Sequence, residues 1–247
     1  MLIDNPSLLI FLLALGTALA TGLGALPFIW VKSPDSRWIG IANAIAAGLM
    51  LGASVSLVLE GQHSSGWGTV IGVVIGMVFI VITREVLPDH DQLNFGAGSG
   101  LNTRRALLLF LVMTIHSFAE GVGVGVAFGG GQAIGWMIAI AIAVHNIPEG
   151  LAISLTMVPK GTPVWKAALY SIASSLPQPL MAVPAYWFVE QFRPALPVGL
   201  GFAAGAMLWM VFSELLPESV KESRSVRLTA GVTTIATIVM VGFTFVL

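Results

Sequence analysis

Residues 105–128 read RALLLFLVMTIHSFAEGVGVGVAF. After Arg105 the stretch stays apolar for longer than the ~20 residues that carry a helix across a hydrocarbon core, yet it contains an imidazole and a carboxylate, His116 and Glu120. Four residues separate the two, so on a helix they share one face about one turn apart. The following stretch repeats the pattern, with His145-Asn146-Ile147-Pro148-Glu149-Gly150 echoing His116-Ser117-Phe118-Ala119-Glu120-Gly121 at an offset of 29. Two apolar helices that each carry a His-x-x-x-Glu-Gly face point to a protein that lives in lipid and keeps polar chemistry at its centre.

The rest of the chain agrees with that reading. Of 247 residues 56% are hydrophobic and 9% charged, against roughly a quarter charged in a soluble domain. The expected architecture is all-α: a single polytopic transmembrane domain of eight helices over about 7–31, 38–61, 66–87, 105–128, 132–158, 163–190, 196–217 and 227–246. No soluble domain fits between them. The first span follows MLIDNPS, which lacks Lys and Arg and precedes no small-residue cleavage site, so it reads as a retained helix. Cysteine is absent, which excludes disulfides and thiolate ligands. A net charge of −1 gives no sign of nucleic-acid binding.

Charge between the spans sets the orientation. Lys32, Arg37, Arg84, Arg104, Arg105, Lys160, Lys166, Lys221, Arg224 and Arg227 follow spans one, three, five and seven, and only Arg193 lies on the other side. Positive charge concentrates on the cytoplasmic face, so an even number of spans in a cell membrane, with both termini outside the cytoplasm, is expected. The connector 88–104, with Asp89, His90 and Asp91 before a Gly/Ser/Asn-rich run, then reads as a flexible cytoplasmic loop. Trp30, Trp38, Trp67, Trp165 and Trp187 fall near span ends, where amphipathic rings favour the interface.

A second repeat is longer. Ala46-Ala47-Gly48-Leu49-Met50-Leu51 maps onto Ala203-Ala204-Gly205-Ala206-Met207-Leu208 at an offset of 157, and Pro27 and Trp30 map onto Pro184 and Trp187. Spans one to three and six to eight therefore read as inverted repeats flanking the central pair of spans four and five, an arrangement found in transporters that bind substrate near the midplane. Chance similarity between Ala/Gly-rich helices is the competing explanation of this longer offset.

Glu120, Glu149 and Glu214 lie deep in spans together with His116 and His145, and no Lys or Arg lies among them. An ionised carboxylate in hydrocarbon costs several kcal/mol unless a positive group or a proton neutralises it. A bound divalent cation meets that demand. The structural alternative is a His–Glu hydrogen bond that glues helices together. Pro148 removes the hydrogen bond to the carbonyl of Val144 and bends span five beside His145, which either opens that carbonyl to the site or only improves packing. Span six is interrupted at Ser174-Ser175-Leu176-Pro177-Gln178-Pro179, and broken helices at membrane depth line cavities, so Gln178 is a ligand candidate. Glu214 reads as a secondary ligand, a proton acceptor on the exit path or an interfacial carboxylate, and Met50 as a soft thioether donor or a packing residue.

These residues resemble the ZIP (Zrt/Irt-like) family of divalent metal transporters, and its bacterial-type GufA branch in particular. The resemblance covers essentially all eight spans and rests on the two His-x-x-x-Glu-Gly motifs, of which the second reads His145-Asn146-Ile147-Pro148-Glu149-Gly150. It implies a core binuclear site, homodimers and metal moving toward the cytosol. By position, one metal would be held by Met50, His116, Glu120, His145 and Glu149, a second by Ser117, Glu120, Asn146, Glu149 and Gln178, and Glu214 would match a carboxylate beside them. Ser117 stands where relatives often have Asn, and Gln178 where they often have Glu, and both departures weaken the second position.

The donor set of imidazole, carboxylate and thioether suits Zn²⁺ first, then Fe²⁺, Mn²⁺, Co²⁺ or Cd²⁺. No prosthetic group is expected: the cation is the cargo. Two rival readings remain, an intramembrane zinc-dependent hydrolase and a metal sensor or structural protein. The hydrolase is disfavoured because the chain contains no His-Glu-x-x-His, in which the glutamate acts as general base.

Overall fold

The computed structural model describes residues 5–31, 35–86 and 100–244. Among these residues there are ten α-helices and no strand. Helix α1 (Pro6–Leu23) starts at Asn5, whose Oδ1 accepts from the backbone N–H groups of Ser7 and Leu8 at 3.1 and 3.3 Å. That capping satisfies two of the donors that a helix start leaves orphaned. Asp35 caps α2 (Ser36–Ser64) in the same way, and α3 (Gly66–Val86) follows after a single residue.

Helix α4 (Gly100–Gly130) and α5 (Gln132–Met157) meet at Gly131, whose φ of 146° is a backbone conformation that suits glycine. The fourth helix corrects the expected loop. Residues 100–104 are helical, because an α-helix satisfies its own backbone and can continue past the membrane surface. Asp89, His90, Asp91 and the rest of 88–99 lie outside the described residues.

Span six is two helices, α6 (Val164–Ser175) and α7 (Pro177–Gln191), parted at Leu176 because Pro177 has no N–H to continue the ladder. Span seven is also compound. Helix α8 (Leu196–Met210) passes through a π-helical turn, Val211–Leu215, into α9 (Leu216–Ser223). Pro217 cannot donate to the carbonyl of Ser213, and the widened turn absorbs the mismatch. Helix α10 (Val226–Thr244) completes the bundle.

Six helical segments among the described residues are long and apolar enough to cross a membrane: Pro6–Ile29, Ser36–Ser64, Gly66–Glu85, Gln132–Leu155, Arg193–Ser223 and Val226–Phe243. Helix α4 adds 31 residues, and the interrupted α6–α7 completes eight spans. The apolar windows of α3 and α10 are only 22% buried inside the protein, against 61% for α2, so α3 and α10 lie at the periphery and α2 runs through the middle. Trp30, Trp38, Trp67, Trp165 and Trp187 are all exposed and all sit at or near helix ends, as the interface preference requires.

The repeats are visible in the packing. The most extensive helix pairs are α3 with α8, α2 with α10, α4 with α7, and α1 with α5 among those that follow. Exchanging spans one to three with six to eight, and four with five, turns the first pair into the second and the third into the fourth. Small residues set these contacts. A Cβ on Gly121 would run into the backbone of Gln178, and one on Gly150 into the backbone of Thr21. Offsets of 29 and 157 convert the first contact into the second.

Register adds direction. Thr69 and Val73 meet Gly201 and Gly205, Gly48 and Gly52 meet Thr233 and Met240, and Gly121 and Gly125 meet Gln178 and Ala182. Both numbers rise together in every case, so paired helices run parallel. Eight alternating spans demand this of three with seven, two with eight and four with six.

Candidate metal site

The site forms where α4 and α5 cross the core. His116 and Glu120 on α4 and His145 on α5 are buried, with Glu120 fully excluded from solvent. Ligating atoms of Glu120, His145 and Glu149 all lie within 4.8 Å of one another, so the expected convergence of the two faces is found for these three groups. Donors around a zinc ion bound at ~2.0–2.1 Å stand about 3.3 Å apart in a tetrahedron. A closure on the order of an ångström would therefore bring the cluster to ligating geometry.

The two carboxylates are held differently. Glu120 Oε1 lies 2.7 Å from His145 Nε2, and Glu120 Oε2 accepts from Gln178 Nε2 at 2.5 Å. The Gln178 amide is itself anchored, because its Oε1 accepts from Thr17 Oγ1 and from Asn146 Nδ2 at 2.5 and 3.2 Å. Asn146 Nδ2 also donates to the carbonyl of Thr17 at 2.9 Å, which ties α5 to α1. Glu149 Oε1 has no hydrogen-bond partner, and neither do His145 Nδ1, Asn146 Oδ1 and Ser117 Oγ, although all four atoms are buried. An unsatisfied buried polar atom costs about 1–3 kcal/mol. Two of them, Glu149 Oε1 and His145 Nδ1, belong to residues of the ligating cluster itself.

A cavity of about 40 Å³ opens beside these groups, lined by both His/Glu pairs, Met50 and Glu214. Thus Met50, His116, Glu120, His145, Glu149 and Glu214 share one space, which Ser117, Asn146 and Gln178 do not line. Gln178 differs from its expected part. The oxygen that would ligate a metal already accepts from two donors, and its amide nitrogen steadies Glu120.

Glu214 brings a correction. The carboxylates were expected to lack any basic neighbour, but Arg84 Nε at the end of α3 lies 2.6 Å from Glu214 Oε1. Arg84 looked like a topogenic charge at a span end, and its side chain meets a carboxylate in the π-helical turn.

Two lining residues with oxygen or sulfur donors in their side chains were missed. Asn43 sits two turns before Met50 on α2, and Met113 one turn before His116 on α4. The i, i+7 and i, i+3 spacings to residues already singled out were the signal.

Comparison with known proteins follows the same lines. A family model described as ZIP zinc transporter matches residues 90–247. A putative zinc transporter of Arabidopsis thaliana is 46% identical over 86% of this chain, which spans only 35% of that longer protein. The zinc transporter GufA of Myxococcus xanthus is 34% identical, covering 81% of this chain and 84% of its own length. The zinc transporter ZIPB of Bordetella bronchiseptica is 31% identical over 86% of this chain and 73% of its own length. All are named as transporters and none as an enzyme, which removes the hydrolase reading. The chain is a multi-pass membrane protein that belongs to the ZIP zinc transporter family.

Proposed function

We propose that this chain carries divalent transition-metal cations, zinc foremost, across a cell membrane toward the cytosol, and that the cation passes through the cavity between α4 and α5. The observation that carries the reading is the cluster of Glu120, His145 and Glu149, ligating groups from two helices of which the first two are buried and Glu149 half-buried, with Glu149 Oε1 and His145 Nδ1 unpartnered. A site of this charge with no fixed cation against Glu149 calls for one that arrives and leaves.

In this proposal Glu120, His145 and Glu149 are the principal ligands, with His116 and Met50 completing the shell from the cavity wall. Ser117 and Asn146 offer oxygens to a weaker second position, and Gln178 positions Glu120. Zinc is favoured because imidazole and carboxylate together suit it, and Fe²⁺, Mn²⁺, Co²⁺ and Cd²⁺ fit less selectively. Alternating access would move the repeat halves against the central helices. The ten basic residues after odd-numbered spans favour both termini outside the cytoplasm. Homodimers are the assembly that the family resemblance implies.

The test is zinc uptake into proteoliposomes for wild type, His145→Ala and Glu149→Ala, with folding followed by thermal melting. Loss of flux in both folded variants is expected. Undiminished flux in either would overturn the site, and zinc binding by the wild type without any flux would favour a sensor.

A further inference from the structure

The cavity is longer than the cluster that would hold the ion. On α2 it is lined by Asn43, Ala46 and Met50, a spacing that stays on one helix face and covers about 10 Å at the helical rise. On α4 it runs from Glu120 through His116 back to Met113, and on α5 from His145 through Glu149 to Ala152. An ion with ligands at ~2.0–2.1 Å is only about 4 Å across, so the space beyond the cluster can receive it a second time. Spans two and four run one way and span five the other. Asn43, Met113 and Ala152 therefore mark the same end of the cavity, the end toward Arg37 and Lys160.

Asn43 is the anomaly at that end. Helix α2 buries three polar side chains, Asn43, Ser54 and Ser56. Ser54 donates to the carbonyl of Met50 at 2.7 Å and Ser56 to that of Gly52 at 3.0 Å, so both are satisfied within the helix. The side chain of Asn43, a residue only 5% exposed, makes no hydrogen bond to another described residue. Asn146 shows the contrast, because its amide donates both to Thr17 and to Gln178. An amide has two N–H donors and an accepting oxygen, and burying one without a partner is costly. At Asn43 that group lines the space through which a cation leaving the cluster would pass.

We propose that Asn43 is a release ligand: its Oδ1 receives the cation as it leaves Glu120, His145 and Glu149 toward the Arg37 end. An amide oxygen is uncharged, so it holds a divalent ion more weakly than a carboxylate does. A station on a conduction path needs that balance, favourable enough to be entered and weak enough to be left. The inference rests on the transport site proposed above and adds a release step to it.

Zinc uptake into proteoliposomes and equilibrium zinc binding, measured side by side on full-length wild type and Asn43→Ala, test it. Asn43→Ala should bind zinc as tightly as wild type and carry it severalfold more slowly at saturating zinc, because the cluster is intact and the step out of it is impaired. Wild-type flux in Asn43→Ala overturns the proposal. A fall in affinity that matches the fall in flux also overturns it, since Asn43 would then belong to the resting site. No zinc binding by the wild type overturns the underlying site, and this inference with it. Should Asn43→Ala not fold, Asn43→Cys decides, because the chain has no cysteine and the variant carries a single thiol. Saturating zinc should slow its labelling by a methanethiosulfonate reagent severalfold, and equal labelling with and without zinc overturns the proposal.

Discussion

Glu120 and Glu149 occupy equivalent places in two copies of one motif, and the protein treats them in opposite ways. Glu120 is fixed by His145 on one oxygen and by Gln178 on the other, and Gln178 is in turn fixed by Thr17 and Asn146. Glu149 faces the cavity with Oε1 unpartnered. The difference separates two tasks that one carboxylate could not perform together. A preorganised ligand needs its orientation set by neighbours, whereas a site that must fill and empty needs one group whose partner is the cargo itself.

The largest effects should come from removing the two carboxylates in turn. Glu149→Ala is expected to weaken zinc binding by more than about 100-fold, beyond the loss typical of an outer-shell change. It should leave the melting temperature unchanged or raised, because it deletes a carboxyl whose buried Oε1 has no hydrogen-bond partner. Glu120→Ala should lose binding and stability together, since it strands His145 and the Gln178 amide at about 1–3 kcal/mol each. Equal melting temperatures for the two variants would abolish the distinction.

Gln178→Ala sharpens the comparison. It removes the support of Glu120 without touching the cavity side, so a loss of about 10–100-fold in zinc affinity is expected, as for other second-layer partners of metal ligands. Titration calorimetry reads it, and wild-type affinity would mean that Glu120 needs no support. Acidification acts on the same ligands. Imidazole and carboxylate bind metal only when deprotonated, so zinc affinity should fall with falling pH, by up to about tenfold per unit for each proton displaced. A flat profile from pH 8 to 5 would contradict His/Glu ligation. Thr17→Val, which takes one donor from Gln178, should cost only about 1 kcal/mol in stability and a few-fold in affinity.

Much of this was legible before any coordinates. The span count followed from the lengths of the apolar stretches, and the distribution of basic residues agreed with an even number. The two His/Glu faces were legible because an ionisable group in hydrocarbon is too costly to be incidental. The parallel contacts of Gly48, Gly121 and Gly205 match repeats that short sequence echoes had suggested.

What stayed hidden depended on direction and reach. Gln178 carries both a donor and an acceptor, and sequence does not say which end meets Glu120. Arg84 lies about half the chain away from Glu214 in sequence, and the contact is made by a long side chain near a helix end. The π-helical turn at Val211–Leu215 was foreshadowed only by Pro217, which equally allows a kink. The last two features meet at Glu214.

The central claim is that Glu120, His145 and Glu149 hold the transported cation. Zinc-edge X-ray absorption on the zinc-loaded protein addresses it most directly. A nitrogen and oxygen shell at ~2.0–2.1 Å with imidazole scattering is expected, reduced by one imidazole in His145→Ala and by one oxygen in Glu149→Ala. An unchanged spectrum in both variants would place the metal elsewhere and contradict the account.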